Sequence, residues 1–215
     1  MDAYNHANSF SISDYSAIFI SGGDGTIHEV INGMLMREDK KQLPIGLIPN
    51  GSGNDTCRNL RLHSVEEALD FIVKGDIIKS DVFEVLLDFE TKEEVIEHLS
   101  ANPTANKLDF FRYGLINSGV ALLANCARNA VSMKAKIGRH AYTVQTIIEL
   151  FKGRAETFDI DIDNGTTIFK DMQSQFMMLY NGKFGGGGKT ISPLSIINDG
   201  FVELTFYDGV VSTKT

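Results

Sequence analysis

Residues 20–32, ISGGDGTIHEVIN, set three glycines and one aspartate between an apolar run and the start of an amphipathic pattern. Two readings compete. A tight strand-to-helix turn needs glycine for positive φ but does not need Asp24. The sharper reading is a loop whose backbone N–H groups hold a phosphate at a helix N-terminus, with Asp24 serving a metal ion or a substrate hydroxyl.

Outward from that loop, the first third alternates strand-like and helix-like patterns, as a parallel sheet with crossover helices requires. Residues 17–21 form a short apolar run. The helical spacing that follows puts Ile27, Val30, Ile31, Met34 and Leu35 on one face, and the charged stretch 37–41 closes the helix. PIGLIP (44–49) reads as a second buried strand, and PNGSGND (49–55) turns the chain into a helix over 55–62. Ser64 then caps a third helix, SVEEALDFIVKG, with Glu67 at the capping-box position and Gly75 as its stop. Strand, loop and helix occur twice in succession, which predicts a doubly wound α/β layer with both glycine loops at the carboxyl edge of the sheet, where ligands bind.

After Gly75 the texture changes. Residues 78–89, 108–117, 157–162, 175–180 and 201–207 are β-rich runs separated by turn signals such as DNG, NG and NDG. They predict an antiparallel sheet or sandwich. One helical stretch interrupts it, HAYTVQTIIELFKG, with Val144, Ile147, Ile148 and Phe151 on a single stripe and a stop at Gly153. The fold class expected is therefore an α/β Rossmann-like N-terminal domain over residues 1–77 and an all-β, antiparallel sandwich C-terminal domain over residues 78–215.

With 43% apolar and 22% charged residues, the chain has the composition of a soluble globular protein rather than a disordered one. Its net charge is −8, with no Lys/Arg-rich block. A nucleic-acid partner is excluded on that balance, and electrostatic adhesion to an anionic membrane is expected to be weak. Cys57 and Cys126 have no His or Cys at ligand spacing around them, so they read as buried thiols in a reducing compartment. The N-terminal stretch lacks the basic flank and apolar segment of a signal peptide, and no run reaches membrane-spanning length. A cytoplasmic protein with no transmembrane segment is expected, touching membranes only peripherally.

GGDGT is not a Walker A loop, because no Lys follows its glycines, and it does not fit GxGxxG. Taken alone, a structural turn explains it as well as a phosphate site does. The companion loop changes that weighing. In PNGSGND, Gly51 and Gly53 free the backbone while Ser52, Asn54 and Asp55 offer side-chain partners, although Asn54 or Asp55 could merely cap the helix. Two such loops on neighbouring strands form a cradle long enough for a nucleotide polyphosphate.

The combination SGGDGTIHEVINGM and IPNGSGND resembles the catalytic domain shared by diacylglycerol kinases, sphingosine kinases and bacterial lipid kinases. A third segment, NGKFGGGGKTISPLSIINDGFVELTFYDG, resembles the stretch in which that family follows an asparagine with glycines, a proline and a DG before a strand. The resemblance implies an ATP- and Mg²⁺-dependent enzyme phosphorylating a lipid hydroxyl, diacylglycerol-like or sphingoid, at a membrane surface. It makes Asp24 the catalytic carboxylate, and Gly22, Gly23, Gly25, Thr26, Glu29, Ser52, Gly53 and Asn54 the nucleotide-binding residues. Asp199 matches an acid that supports the metal, although an NDG turn needs no function to explain it. Glu29 likewise suits the first turns of a helix on dipole grounds alone. The stretch 113–127 and the helix 141–151 are candidates for the lipid pocket, with plain core packing as the alternative.

Set beside the family pattern, the chain is expected to lack the opening strand and the closing DGE strand. Leu123 and Asn125 also stand where sphingosine kinases carry an acid beside the lipid head group, which counts against a cationic amino alcohol. Two other readings stay open: a NAD kinase-like enzyme, which shares a GGDGT loop, and a catalytically inactive nucleotide- or lipid-binding domain.

Overall fold

A computed structural model of the chain describes residues 2–209, with residues 131, 134–136 and 139 as backbone only. In chain order the elements are α1 (Asp2–Ser9), β1 (Ile18–Gly22), α2 (Asp24–Leu35), β2 (Ile45–Pro49), α3 (Asp55–Asn59), α4 (Val65–Lys74), β3 (Phe83–Leu86), α5 (Lys92–Ala101), β4 (Phe111–Gly114) and β5 (Asn117–Ala121). There follow α6 (Leu122–Ile137), α7 (Ala141–Lys152), β6 (Glu156–Ile162), β7 (Thr167–Tyr180), β8 (Phe184–Gly185), β9 (Lys189–Thr190) and β10 (Glu203–Asp208). Contacts divide the chain into two units, Met1–Ile116 with Asn181–Phe201, and Asn117–Tyr180 with Val202–Thr215.

In the first unit β1 and β2 pair in parallel, in register from Ile18 opposite Ile45 to Gly22 opposite Pro49. Both strands end at the same level, so the two glycine loops leave from one edge. The stripe predicted for α2 is buried: Ile27, Val30 and Met34 pack with Ile20, Leu47, Cys57 and Ala7. Ala7 belongs to α1, which sequence patterning misses because it is the helix's one buried residue. Gly33 lets α1 cross α2 closely, since a Cβ there would lie 2.5 Å from the Tyr4 carbonyl oxygen. Arg37, expected only to close α2, is instead buried. Its Nη1 donates to the carbonyls of Ala7 (2.9 Å) and Asn8 (3.1 Å), satisfying the last acceptors of α1. Its other side pairs with Asp39 at 2.8 Å, which holds the Asp39 carboxyl down at about 2.

The caps of α4 follow the sequence, with one shift. Ser64 accepts from the Glu67 N–H, and Gly75 ends the helix at φ 73°. The Glu67 carboxylate reaches back to the N–H of His63 rather than that of Ser64. A full capping box occurs instead at Thr91 and Glu94, at the start of α5.

The hairpin β3–β4 is antiparallel, and it closes a small core of Met36, Val95, Leu108 and Phe111 with α5. Asn32, buried in α2, presents its amide to β4 as a neighbouring strand would. Its Oδ1 accepts the Tyr113 N–H at 2.8 Å, and its Nδ2 donates to the Tyr113 carbonyl at 3.0 Å. This hairpin therefore lies with the α/β elements, and the expected boundary at residues 77/78 falls inside the first unit.

The second unit is β-rich and antiparallel as expected, with β5, β6 and β10 all pairing with the long β7. It is not an all-β sandwich. Its described strands form one sheet, and two helices, α6 and α7, join β5 to β6. The first was hidden for a physical reason. Ala121 makes the strand-to-helix turn at φ 55° with no glycine to announce it. The buried face of α6 is Leu122, Cys126 and Ala130, too small-sided to stand out as a helical stripe. Leu122, in the stretch offered as a lipid pocket, is core.

Candidate active site

The carbonyl of Gly22 accepts the N–H of Asn50 at 3.1 Å, tying the end of β1 to the start of the second loop. The reason for the glycines is then visible. None of Gly22, Gly23, Gly25, Gly51 and Gly53 has a positive φ, and Gly23 is extended at φ −102°. A Cβ on Gly51 would lie 2.3 Å from the Cα of Gly23, and one on Gly23 would lie 3.1 Å from the Cα of Gly51. The two loops touch backbone to backbone, so these positions are glycine for close approach. Gly25 is different, since a Cβ there would meet nothing within 4 Å. It opens the first turn of α2, next to the exposed Thr26, where free helix N–H groups and the dipole favour an anion.

The residue that does adopt the left-handed conformation is Asn54, at φ 56°. Its side chain closes its own loop, with Oδ1 accepting the Gly51 N–H at 2.7 Å and Nδ2 donating to the Gly51 carbonyl at 3.0 Å. Asn54 thus shapes the loop, and its side chain makes no cap hydrogen bond to α3. Ser52 stands exposed at the loop's tip.

Asp24 is the N-terminal residue of α2. Its Oδ1 accepts both the N–H and the hydroxyl of Thr56, each at 2.8 Å. Its Oδ2 lies beside Gly53, 2.8 Å from where a Cβ would project. One carboxylate oxygen is therefore fixed by the second loop's helix, and glycine at 53 keeps room beside the other. Thr56 escaped the sequence reading because its role depends on a partner 32 positions away. Glu29 sits half-buried on α2, following His28, whose pKa is lowered by burial and then by Arg112.

A third loop joins this group. The glycine run 185–188 turns the chain between β8 and β9, with Gly186, Gly187 and Gly188 at φ 63°, 84° and 91°. It is held in place as well. Buried Asp55 accepts the N–H of Gly187 through Oδ2 at 2.8 Å and that of Gly188 through Oδ1 at 2.6 Å. Asn59 brackets Phe184, accepting its N–H at 3.0 Å and donating to its carbonyl at 3.1 Å. Arg58 donates to the Gly53 carbonyl and places its guanidinium about 3.1 Å from where a Gly188 Cβ would project. Short as it is, α3 therefore organises all three loops. No local signal announced the Asp55 and Asn59 clamps, whose partners lie far along the chain.

Asp199 is not brought into this cluster by any contact. It lies in an exposed turn where its Oδ1 accepts the Phe201 N–H at 3.0 Å, and the neighbouring Gly200 N–H is taken by Asp81 Oδ2 at 2.7 Å. Among the described residues no three His, Cys, Asp or Glu side chains gather to hold a metal ion. Cys57 and Cys126 are free and buried. Burial, then the Asp24 charge, pushes the Cys57 thiol up to about 11, so it is inert.

The two glycine loops, which the structure packs together with Asp24 tied across them, lie in two of the three segments on which the family resemblance rests. Residues 1–85 match the diacylglycerol kinase catalytic domain. Relatives extend the likeness beyond that segment. A Staphylococcus epidermidis protein named as a lipid kinase is 27% identical over 180 residues, covering 82% of this chain and 49% of its own length. Escherichia coli YegS, named a probable lipid kinase, is 21% identical over 195 residues, covering 90% and 57%. A Staphylococcus carnosus diacylglycerol kinase is 41% identical over 70 residues, covering 32% and 22%. The chain thus spans about half the length of these first two lipid kinases. A solved diacylglycerol kinase structure from Bacillus anthracis superposes with a TM-score of 0.63 at 24% identity, over 95% of this chain and 58% of that one. That likeness is one of fold. No described helix is long and apolar enough to cross a membrane.

Proposed function

We propose that this chain carries the nucleotide-binding loops of an ATP-dependent lipid kinase, which transfers the γ-phosphate to a lipid hydroxyl. The observation that carries the reading is the fixed pair of loops, joined at Gly23 and Gly51 and bridged by Asp24 and Thr56. Phosphoryl transfer asks chiefly for positioning and for neutralisation of developing charge. In this reading the open first turn at Gly25 and Thr26, with Gly22, Gly23, Ser52 and Gly53, faces the phosphates. Asn54 holds the second loop in shape. Asp24 Oδ2 accepts the proton of the lipid hydroxyl as its oxygen bonds to the γ-phosphorus and the bond to the β-phosphate oxygen breaks.

Mg²⁺ characteristically binds through one or two carboxylates and the substrate's phosphates rather than in a protein cage. Asp24, whose Oδ2 has room beside Gly53, fits that habit as a single carboxylate. Asp199 is the further carboxylate assigned to metal support. When bound, the ion would neutralise phosphate charge.

Full-length protein incubated with radiolabelled ATP and mixed vesicles of diacylglycerol, monoacylglycerol, ceramide and sphingosine tests the reading. Labelled lipid is expected, and Asp24→Asn should lower turnover on the order of 10²-fold with the fold intact. Thr56→Val should cost less, because the Thr56 N–H still holds Asp24. Protein that binds ATP and labels none of the lipids would establish the inactive binding domain instead. With NAD added to the same assay, label on NAD would establish the NAD kinase-like alternative.

A further inference from the structure

The five residues of α3 are too few to hold a helix by backbone bonds alone, so its side-chain bonds set where it stands. Asp55 accepts the N–H groups of Gly187 and Gly188, and Asn59 brackets Phe184. Four positions apart, these two residues meet the β8–β9 loop together. Thr56, one position round the helix from Asp55, donates to Asp24 instead. A shift of the β8–β9 loop is therefore carried by α3 to Asp24.

That loop has little support of its own. Its strands pair over two residues each, and Gly186, Gly187 and Gly188 all lie in the left-handed region. Successive N–H groups in such a turn converge on an anion. The Asp55 carboxylate is that anion, giving one oxygen to each of two glycine N–H groups. Asparagine, of the same size, would offer a single oxygen and set its own amide N–H against the second glycine. An acid that merely suits the first turn of a helix needs no such pairing.

We infer that Asp55 and Asn59 are positioning residues for the phosphoryl transfer: they lock the β8–β9 loop to α3, and through Thr56 that lock fixes the direction of the Asp24 carboxylate. The effect on rate rests on the kinase reading. The coupling itself is a property of the fold. Misplacing a reacting group by about 1 Å can cost on the order of 10²-fold in rate, so a loop that touches no substrate can still govern turnover.

Two experiments separate the coupling from the activity. Amide exchange in Asn59→Ala needs no turnover. Alanine favours helix more than asparagine does, so α3 loses only the side-chain bonds to Phe184 and to the Asp55 carbonyl. The Phe184 amide should exchange faster, and so should the Thr56 amide, which Asp24 holds. The Met36 amide, bonded at the end of α2, should not. An unchanged Thr56 amide would overturn the inference. So would an equal gain at Met36, which would make Asn59 an ordinary core residue. Turnover is then compared in a double-mutant cycle of Asp55→Asn and Asp24→Asn. Alone, Asp55→Asn should lower kcat on the order of tenfold while KM for ATP changes less than about twofold. In the Asp24→Asn background it should cost less than about twofold further, since the carboxylate it positions is gone. A tenfold loss in both backgrounds would overturn the inference by giving Asp55 a role independent of Asp24. A raised KM with unchanged kcat would also overturn it, making the loop a nucleotide contact only. Protein that labels no lipid would refute the kinase reading, and exchange at Thr56 would still decide the coupling.

Discussion

In α2 the apolar stripe Ile27, Val30 and Met34 lies buried against the two-stranded parallel sheet. In α7, a helix of the same length, the corresponding stripe is exposed, and the residues buried against α6 are Gln145 and Glu149. Both helices show the same period in sequence, and periodicity identifies a stripe without saying what covers it. The covering partner decides. The sheet offers α2 the apolar side chains of Ile20 and Leu47, whereas α6 offers α7 an amide, Asn129, beside small buried residues such as Cys126 and Ala130. Against such a surface a hydrogen-bonded polar pair packs as well as leucine would, and the large side chains are left outside.

The comparison breaks most sharply at Ile27, which is fully buried. Ile27→Ala removes three buried carbons and leaves a cavity under β1, so unfolding free energy should fall by about 3 kcal/mol. Denaturant titration with an unchanged slope would confirm it. A loss under about 1 kcal/mol would mean that α2 is held by something other than its stripe.

A smaller loss is expected at Asn32, the polar residue that α2 does bury. Asn32→Ala leaves the N–H and carbonyl of Tyr113 without their partner, at a cost of about 2 kcal/mol. Hydrogen exchange at the Tyr113 amide should accelerate more than at Ile20. Equal acceleration at both would place the damage in the main core rather than at the β3–β4 hairpin.

Asn32 also marks where sequence reading stops. The strands β1, β2, β3, β4, β6 and β10, both glycine loops, and the start and end of α4 were legible because each is announced within a few residues: by an apolar run, a glycine, or a serine three residues before a glutamate; β5, β8, β9 and the first half of β7 were not. The bonds that assemble the site were not. Asp24 with Thr56, Asp55 with Gly187 and Gly188, and Asn59 with Phe184 join residues whose local surroundings would be equally content as simple caps and turns. Two helices were lost for opposite reasons: α1 buries one alanine, and α6 follows a turn made by Ala121 without glycine. The Thr91/Glu94 box that starts α5 was a readable signal left unread. Positive φ, which the plain-turn reading needs, is absent from the glycines of the two phosphate-type loops, and at Gly23 and Gly51 close contact between the loops requires glycine instead.

On the α7 side the buried acid gives a pH signature that α2 lacks. Lys152 foremost, with help from Gln145 and Asn129, holds the Glu149 carboxyl below its ordinary value of 4.5. A depressed value in the folded state stabilises the fold at pH above that ordinary value, and the contribution is lost as pH falls through the lower folded value. Thermal unfolding followed from about pH 6 to about pH 3 should therefore show an acid limb that Glu149→Gln flattens. An identical limb in the variant would assign the acid sensitivity to other carboxylates, such as Asp39 beside Arg37.

The smallest effect is the one that tests the comparison most directly, because the sequence alone would predict a large one. If the stripe of α7 were core, Ile147→Ser and Phe151→Ser would each remove a buried apolar side chain and cost several kcal/mol. Both side chains are exposed, Phe151 at 70%, so folding withdraws little of their apolar surface from water and either variant forfeits little burial. Serine has only slightly lower helix propensity than isoleucine or phenylalanine. Each change should therefore shift unfolding free energy by no more than about 0.5 kcal/mol, and solubility should rise as the apolar patch shrinks. Gln145→Leu, on the same helix but facing α6, should behave in the opposite sense: it strips Glu149 of one donor and puts apolar bulk against Asn129. A destabilisation at Phe151 that exceeds the one at Gln145 would reverse the orientation of α7. It would return the helix to the core.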